Sequence, residues 1–176
     1  MHALGRHLAL IGFMGAGKTT LGQEVARRLG RPFRDLDQEI EFEEGPIADM
    51  FARRGEAAFR ALEVDHLERL LALADPMVVA LGGGAVTLPR ARALLRQRAL
   101  VVLVPVEVEE AWQRVQGSDR PLARSKEEFR RLYAERQPLY REVADAAASD
   151  ADGIVLAAAG IVVEEGGLDR LAELVP

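Results

Sequence analysis

The chain has 176 residues, of which 49% are hydrophobic and 29% charged, with a net charge of −5. That is the make-up of a globular protein able to bury a real core, and it supplies no overall field for nucleic acid or an anionic membrane, so anionic ligands must be held by local Arg and Lys. There is no cysteine, which excludes disulfides and thiolate metal sites, and no apolar run approaches the ~20 residues of a membrane helix. One domain over residues 1–176 is expected. Met1 to Arg6 shows no signal-peptide pattern, so the expected location is the cytoplasm, where ATP is available.

Leu8-Ala9-Leu10-Ile11 is short and apolar, as in a buried strand. Gly12 to Thr19 follows as a complete G-x-x-x-x-G-K-[ST] motif. Thr20 to Leu29 then places Leu21, Val25, Ala26 and Leu29 on one helical face and stops at Gly30, with Pro32 beyond. This strand–loop–helix context points to a phosphate site. The glycines let backbone N–H groups of Gly15, Ala16, Gly17 and the first helical turn, through Thr20, crowd around phosphate oxygens, and the helix N-terminus adds partial positive charge. Lys18 can reach the β- and γ-phosphates, and the Thr19 hydroxyl can sit on Mg²⁺. A glycine-rich turn that binds nothing is the alternative.

Phe33 to Asp37 reads as a short strand with Asp35 and Asp37 on one face, both able to point at the phosphate loop. Residues 38–57 are polar and helical, broken at Gly45-Pro46 and again at Gly55. Phe59 to Ala74 is helical with Leu67, Leu70, Leu71 and Ala74 on one face, and ends at Asp75-Pro76. Met77 to Leu81 is a buried strand followed by Gly82-Gly83-Gly84. A short helix with Pro89 near its start leads to the strand Ala99 to Val104. Glu107 to Val115 is helical, with Val108, Ala111, Trp112 and Val115 in register. Residues 117–126 are polar and loop-like, and Phe129 to Ala144 is helical on either side of Pro138. Ile154 to Ala157 is the expected fifth strand. Five strands joined by helices imply a three-layer α/β/α fold on a parallel sheet. The phosphate loop, Asp35/Asp37 and Gly82–Gly84 all follow strands, so they should meet at one sheet edge.

Asp35 and Asp37 fit one carboxylate for Mg²⁺, through water, and one to accept a proton from a substrate hydroxyl; a polar strand end is the other reading. Arg60 and Glu63 are i, i+3 neighbours, and spacing alone favours a solvated surface pair. Gly82–Gly84 fits a backbone approached by a ligand and a plain tight turn equally well. Arg120 lies in a loop of the kind that closes over phosphates; a solvated loop, where Arg is common, is the other reading. Arg136 can fork onto a carboxylate, although a surface arginine is the simpler reading. His2, His7 and His66 have no metal-ligand spacing and read as structural, as does Trp112. The arginines from Arg90 to Arg98 read as a solvated helix face.

The ordered set resembles shikimate kinases, small members of the nucleoside-monophosphate-kinase-like group of phosphate-loop kinases. The resemblance runs over about residues 5–145. It includes Gly12–Thr19, Phe33–Asp37, Gly55-Glu56, Phe59-Arg60, Gly82–Gly84, Arg120-Pro121-Leu122, and Arg136 with Pro138 and Tyr140. It implies an ATP- and Mg²⁺-dependent, monomeric enzyme that phosphorylates the 3-hydroxyl of shikimate. A substrate lobe would span about residues 38–63 and a lid about 115–126. Asp37 would bind substrate hydroxyls and act as the base. Arg60, oriented by Glu63, and Arg136 would grip the shikimate carboxylate, with the Gly82–Gly84 backbone lining the pocket. Lys18 and Arg120 would stabilise the transferred group, and Thr19 and Asp35 would serve Mg²⁺. These implied roles replace the surface readings of Arg60 and Arg136. The last fifteen or so residues faintly resemble the opening strand and helix of dehydroquinate synthases. A gluconate kinase, a nucleoside monophosphate kinase and a non-catalytic nucleotide switch are the rival readings.

Overall fold

In the computed structural model, residues 5–116 and 125–160 are described. Five parallel strands form one sheet in the order β2-β3-β1-β4-β5: β1 His7–Ile11, β2 Phe33–Asp35, β3 Val78–Ala80, β4 Ala99–Leu103 and β5 Ala146–Ala147. Among the described residues, seven α-helices accompany them: α1 Lys18–Leu29, α2 Leu36–Glu44, α3 Ile47–Leu71, α4 Pro89–Arg98, α5 Val108–Val115, α6 Lys126–Val143 and α7 Ala151–Ala158. The three central strands read as continuous apolar runs because helices cover both sheet faces. Leu8, Ala9, Leu10, Val78, Val79, Val101 and Val102 are all fully buried.

The register decides where the site can form. Leu10 and Asp35 are both paired with Ala80. The C-terminal ends of β1, β2 and β3 are therefore level, and Gly12, Leu36 and Gly82 leave the sheet on one edge. The expected convergence of the three segments holds.

Two expectations are corrected. Phe33 to Asp37 is not strand throughout. The Asp35 side chain accepts hydrogen bonds from the Asp37 and Gln38 N–H groups (3.1 and 3.4 Å), capping α2, so the helix starts at Leu36 and Asp37 sits in its first turn. The shared strand face is thus replaced by a cap and its helix. The fifth strand is Ala146–Ala147, paired with Val102 and Leu103, and Ile154 to Ala157 belongs to α7. The Asp150 side chain accepts from Gly153 N–H at 2.8 Å and caps that helix. Gly55 (φ 78°, ψ 170°) interrupts the helical backbone of α3 as the glycine suggested, and α3 ends at Leu71.

Candidate active site

Gly15 and Gly17 adopt positive φ (81° and 83°), which lets the loop after β1 turn sharply into α1. Lys18 is buried, and its Nζ donates to the carbonyls of Gly12 and Phe13, both at 2.9 Å. Arg114 of α5 donates to the Gly15 carbonyl at 2.9 Å and holds the loop from outside. The Thr19 hydroxyl donates to Asp35 Oδ2 at 2.6 Å, joining the start of α1 to the end of β2.

Beside the loop lies a cavity of about 500 Å³. Thr19, Asp35, Asp37, Arg60, Gly82, Gly83, Gly84 and Arg136 line it, together with Met14, Phe51 and Phe59. Gly15, Ala16, Gly17, Lys18 and Thr20 are not among its walls; they form the loop and the first turn of α1 beside it. Arg120 and most of the expected lid lie outside the described residues, as do His2 and the C-terminal segment from residue 161.

Arg60 and Arg136 are inside the protein, not on its surface. Arg60 is 7% exposed and donates to Glu63 Oε2 at 2.8 Å and to Glu56 at 3.2 Å. Its guanidinium lies against the rings of Phe51 and Phe59. Arg136 is 3% exposed and lies over the Phe13 ring at 5.8 Å. Among the described residues it has no carboxylate within ion-pair distance, and its Nε has no hydrogen-bond partner. Burial pulls the Arg136 guanidinium below its usual value, and the charge of Arg60 adds to the fall. For Arg60, burial acts in the same direction, but Glu63 and Glu56 outweigh it and the net shift is upward. Burial also pushes the Glu63 carboxyl up to about 7 against the pull of Arg60, with the neighbouring Asp37 charge adding to the rise.

The glycines are explained by close approach. A Cβ on Gly82 would stand 2.5 Å from Asp37 Oδ1, and one on Gly84 would collide with the Arg60 guanidinium. The bare backbone thus lets an acid and a base flank one turn. Behind it, the Tyr140 hydroxyl donates to the Gly83 carbonyl at 2.5 Å.

The site therefore brings together a phosphate loop, a hydroxyl–carboxylate pair, a second carboxylate and two buried cations. A family model described as shikimate kinase matches residues 14–165. The chain belongs to the shikimate kinase family. A shikimate kinase of Halorhodospira halophila is 44% identical over 160 residues, covering 88% of this chain and 90% of that one. One from Nitrobacter winogradskyi is 43% identical over 143 residues, 78% of this chain and 66% of the relative. The solved shikimate kinase of Acinetobacter baumannii, in complex with shikimate, superposes with a TM-score of 0.79 at 36% identity, covering 97% of this chain and 96% of that one.

Phe59 and Tyr140 belong to the segments that resemble shikimate kinases, and the sequence alone assigns them no role. Phe51 and Phe59 are eight apart on α3, and both face Arg60. Of the residues set aside, Trp112 packs on Phe129 with ring centroids 5.1 Å apart. His7 meets the Leu73 carbonyl at 3.2 Å. The arginine face of α4 is mostly solvated, with Arg90 paired to Asp65 and Glu68. Arg92 is the exception: it turns inward to the Val86 and Thr87 carbonyls.

Proposed function

We propose that this chain acts as a shikimate kinase, moving the γ-phosphoryl of ATP to the 3-hydroxyl of shikimate to give shikimate 3-phosphate for aromatic amino-acid synthesis. The observation that carries this reading is Arg136, a buried cation without a carboxylate partner among the described residues, facing the same cavity as Arg60 and Asp37. A buried, unpaired charge is costly, and an acceptor carboxylate offsets that cost. Two guanidiniums suit one planar carboxylate, and Asp37 then meets a hydroxyl on the same small molecule.

In the proposed step, the Asp37 carboxylate accepts the proton of the 3-hydroxyl, whose oxygen attacks the γ-phosphorus as the bond to ADP breaks. General-base help of this kind contributes ~10²–10⁴-fold. Positioning and charge supply the rest. The loop residues Gly15, Ala16, Gly17, Lys18, Thr19 and Thr20 bind the nucleotide phosphates, with Lys18 exchanging its loop carbonyls for phosphate oxygens. The Thr19 hydroxyl and Asp35 carboxylate, 2.6 Å apart, are hard oxygen donors at the end of the loop. That donor set suits Mg²⁺, which is commonly held by one or two protein oxygens plus phosphates. When bound, Mg²⁺ neutralises phosphate charge. The lid at about 115–126 and its Arg120 complete the assignment on sequence grounds, and a cytoplasmic monomer is the form we propose for the enzyme. Among the described residues, no helix is long and apolar enough to cross a membrane.

The test is ADP release by the purified protein with ATP, Mg²⁺ and either shikimate, gluconate or AMP. Release that depends on shikimate supports the reading. Release only with gluconate or AMP reassigns the acceptor, and no acceptor-dependent release favours a nucleotide switch.

A further inference from the structure

Arg136 sits in α6, whose next turn holds Pro138 and Tyr140. Pro138 has no N–H to offer the carbonyl four residues back, so this part of α6 is held less by its own ladder and more by its surroundings. Tyr140 is 1% exposed. Its hydroxyl donates to the carbonyl of Gly83, 57 residues away in the chain; Arg136 reaches the same glycine, where a Cβ would stand 3.5 Å from its Nη1, and the guanidinium charge pulls against the effect of burial on the phenol. A phenol has one proton and two lone pairs. With the proton committed to Gly83, its oxygen offers only acceptor character to Arg136. Burial holds the phenol well above its usual value, so it stays a neutral donor across the working pH range.

Arg136 lacks the device that fixes Arg60. Arg60 is held by Glu63 and Glu56, whereas Arg136 has the Phe13 ring below it and Tyr140 at its side. We propose that Tyr140 is a positioning residue of the acceptor site, pinning the glycine turn with its hydroxyl proton and orienting the Arg136 guanidinium with its oxygen, so that the cation meets the acceptor carboxylate in one geometry. A second carboxylate here would do the same job but would neutralise the cation meant for the substrate. A neutral phenol orients Arg136 and leaves its charge available. The inference rests on the reading of Arg136 as a carboxylate-binding group.

The experiment compares Tyr140→Phe with Tyr133→Phe. Tyr133 lies on the same helix and its hydroxyl donates to the Val106 carbonyl at 2.9 Å, so its loss removes a bond of the same kind away from the acceptor cavity. Tyr140→Phe should raise the shikimate KM about 3- to 10-fold, as expected for one neutral hydrogen bond, with kcat and the ATP KM within about twofold. Tyr133→Phe should leave the shikimate KM within about twofold. The second arm uses shikimate carboxamide, whose neutral group cannot engage Arg136 as a carboxylate does; there the Tyr140→Phe penalty on kcat/KM should shrink to less than about twofold. An unchanged shikimate KM, equal penalties for acid and amide, or equal effects of the two tyrosine variants would each overturn the proposal. Wild-type protein without shikimate-dependent turnover would instead overturn the functional reading beneath it.

Discussion

The phosphate loop and the acceptor pocket are built in opposite ways. The loop is one short run of consecutive residues between a buried strand and a helix. Its working groups are mostly backbone, and Lys18 rests on carbonyls of its own loop. The pocket draws Asp37, Arg60, Gly82–Gly84 and Arg136 from segments far apart in the chain. Its working groups are side chains, and its two guanidiniums are already desolvated before a ligand arrives. On the proposed reading the loop takes any polyphosphate, while the pocket is pre-organised for one arrangement of charge. That reading assigns specificity to the pocket.

The strongest way to separate the two regions is Asp37→Asn. Turnover with shikimate should fall by ~10²–10⁴-fold, while ATP affinity, measured by calorimetric titration, stays within about twofold. A parallel loss of ATP binding would mean that the two regions are not independent.

Arg136→Met should come next. Losing a charge-assisted contact of ~1.5–3 kcal/mol raises the shikimate KM by roughly 10- to 150-fold. Because the cation is buried without a carboxylate partner among the described residues, the ligand-free melting temperature should hold or rise. A melting temperature several degrees lower would show that Arg136 serves the fold instead.

Glu63→Gln probes the electrostatics of the pocket. The Glu63 carboxyl is raised from 4.5 to about 7, so the folded state holds this proton more tightly than the unfolded chain. Its contribution to stability is complete below about pH 4.5 and is lost as pH rises through about 7. Thermal melts from pH 4.5 to 8 should move in favour of the Gln variant as pH increases. A constant difference between the two proteins would contradict the shift.

The smallest effect is expected on the solvated side of α1. Glu24 pairs with Arg27 and Arg28 on the exposed side of α1, and Glu24→Ala should leave the denaturant midpoint nearly unchanged, because exposed ion pairs are solvent-screened, with kinetics unaltered.

The same contrast explains what could be read from the chain. The loop, the central strands and most helices rest on local signals, namely apolar runs, helical periodicity and a contiguous motif. Arg60 and Arg136 look like surface arginines by spacing, because the groups that bury them come from the glycine turn, Phe13 and Phe51, and only the family resemblance pointed inward. The Asp35 cap was legible in principle, since an Asp before a helical stretch is a common start signal, but strand alternation and capping compete over the same three residues. The fifth strand is hard to place from sequence for a similar reason. Ile154 to Ala157 is apolar enough for a strand, yet Asp150 caps it into a helix, while the two-residue strand Ala146–Ala147 carries too little pattern to announce itself.

A crystal structure with shikimate and a nonhydrolysable ATP analogue tests the central claim most directly. The account predicts the acceptor carboxylate between Arg60 and Arg136, and the 3-hydroxyl at about 2.6–3.2 Å from an Asp37 oxygen. Shikimate bound with its carboxylate away from both guanidiniums, or its 3-hydroxyl out of reach of Asp37, would contradict it.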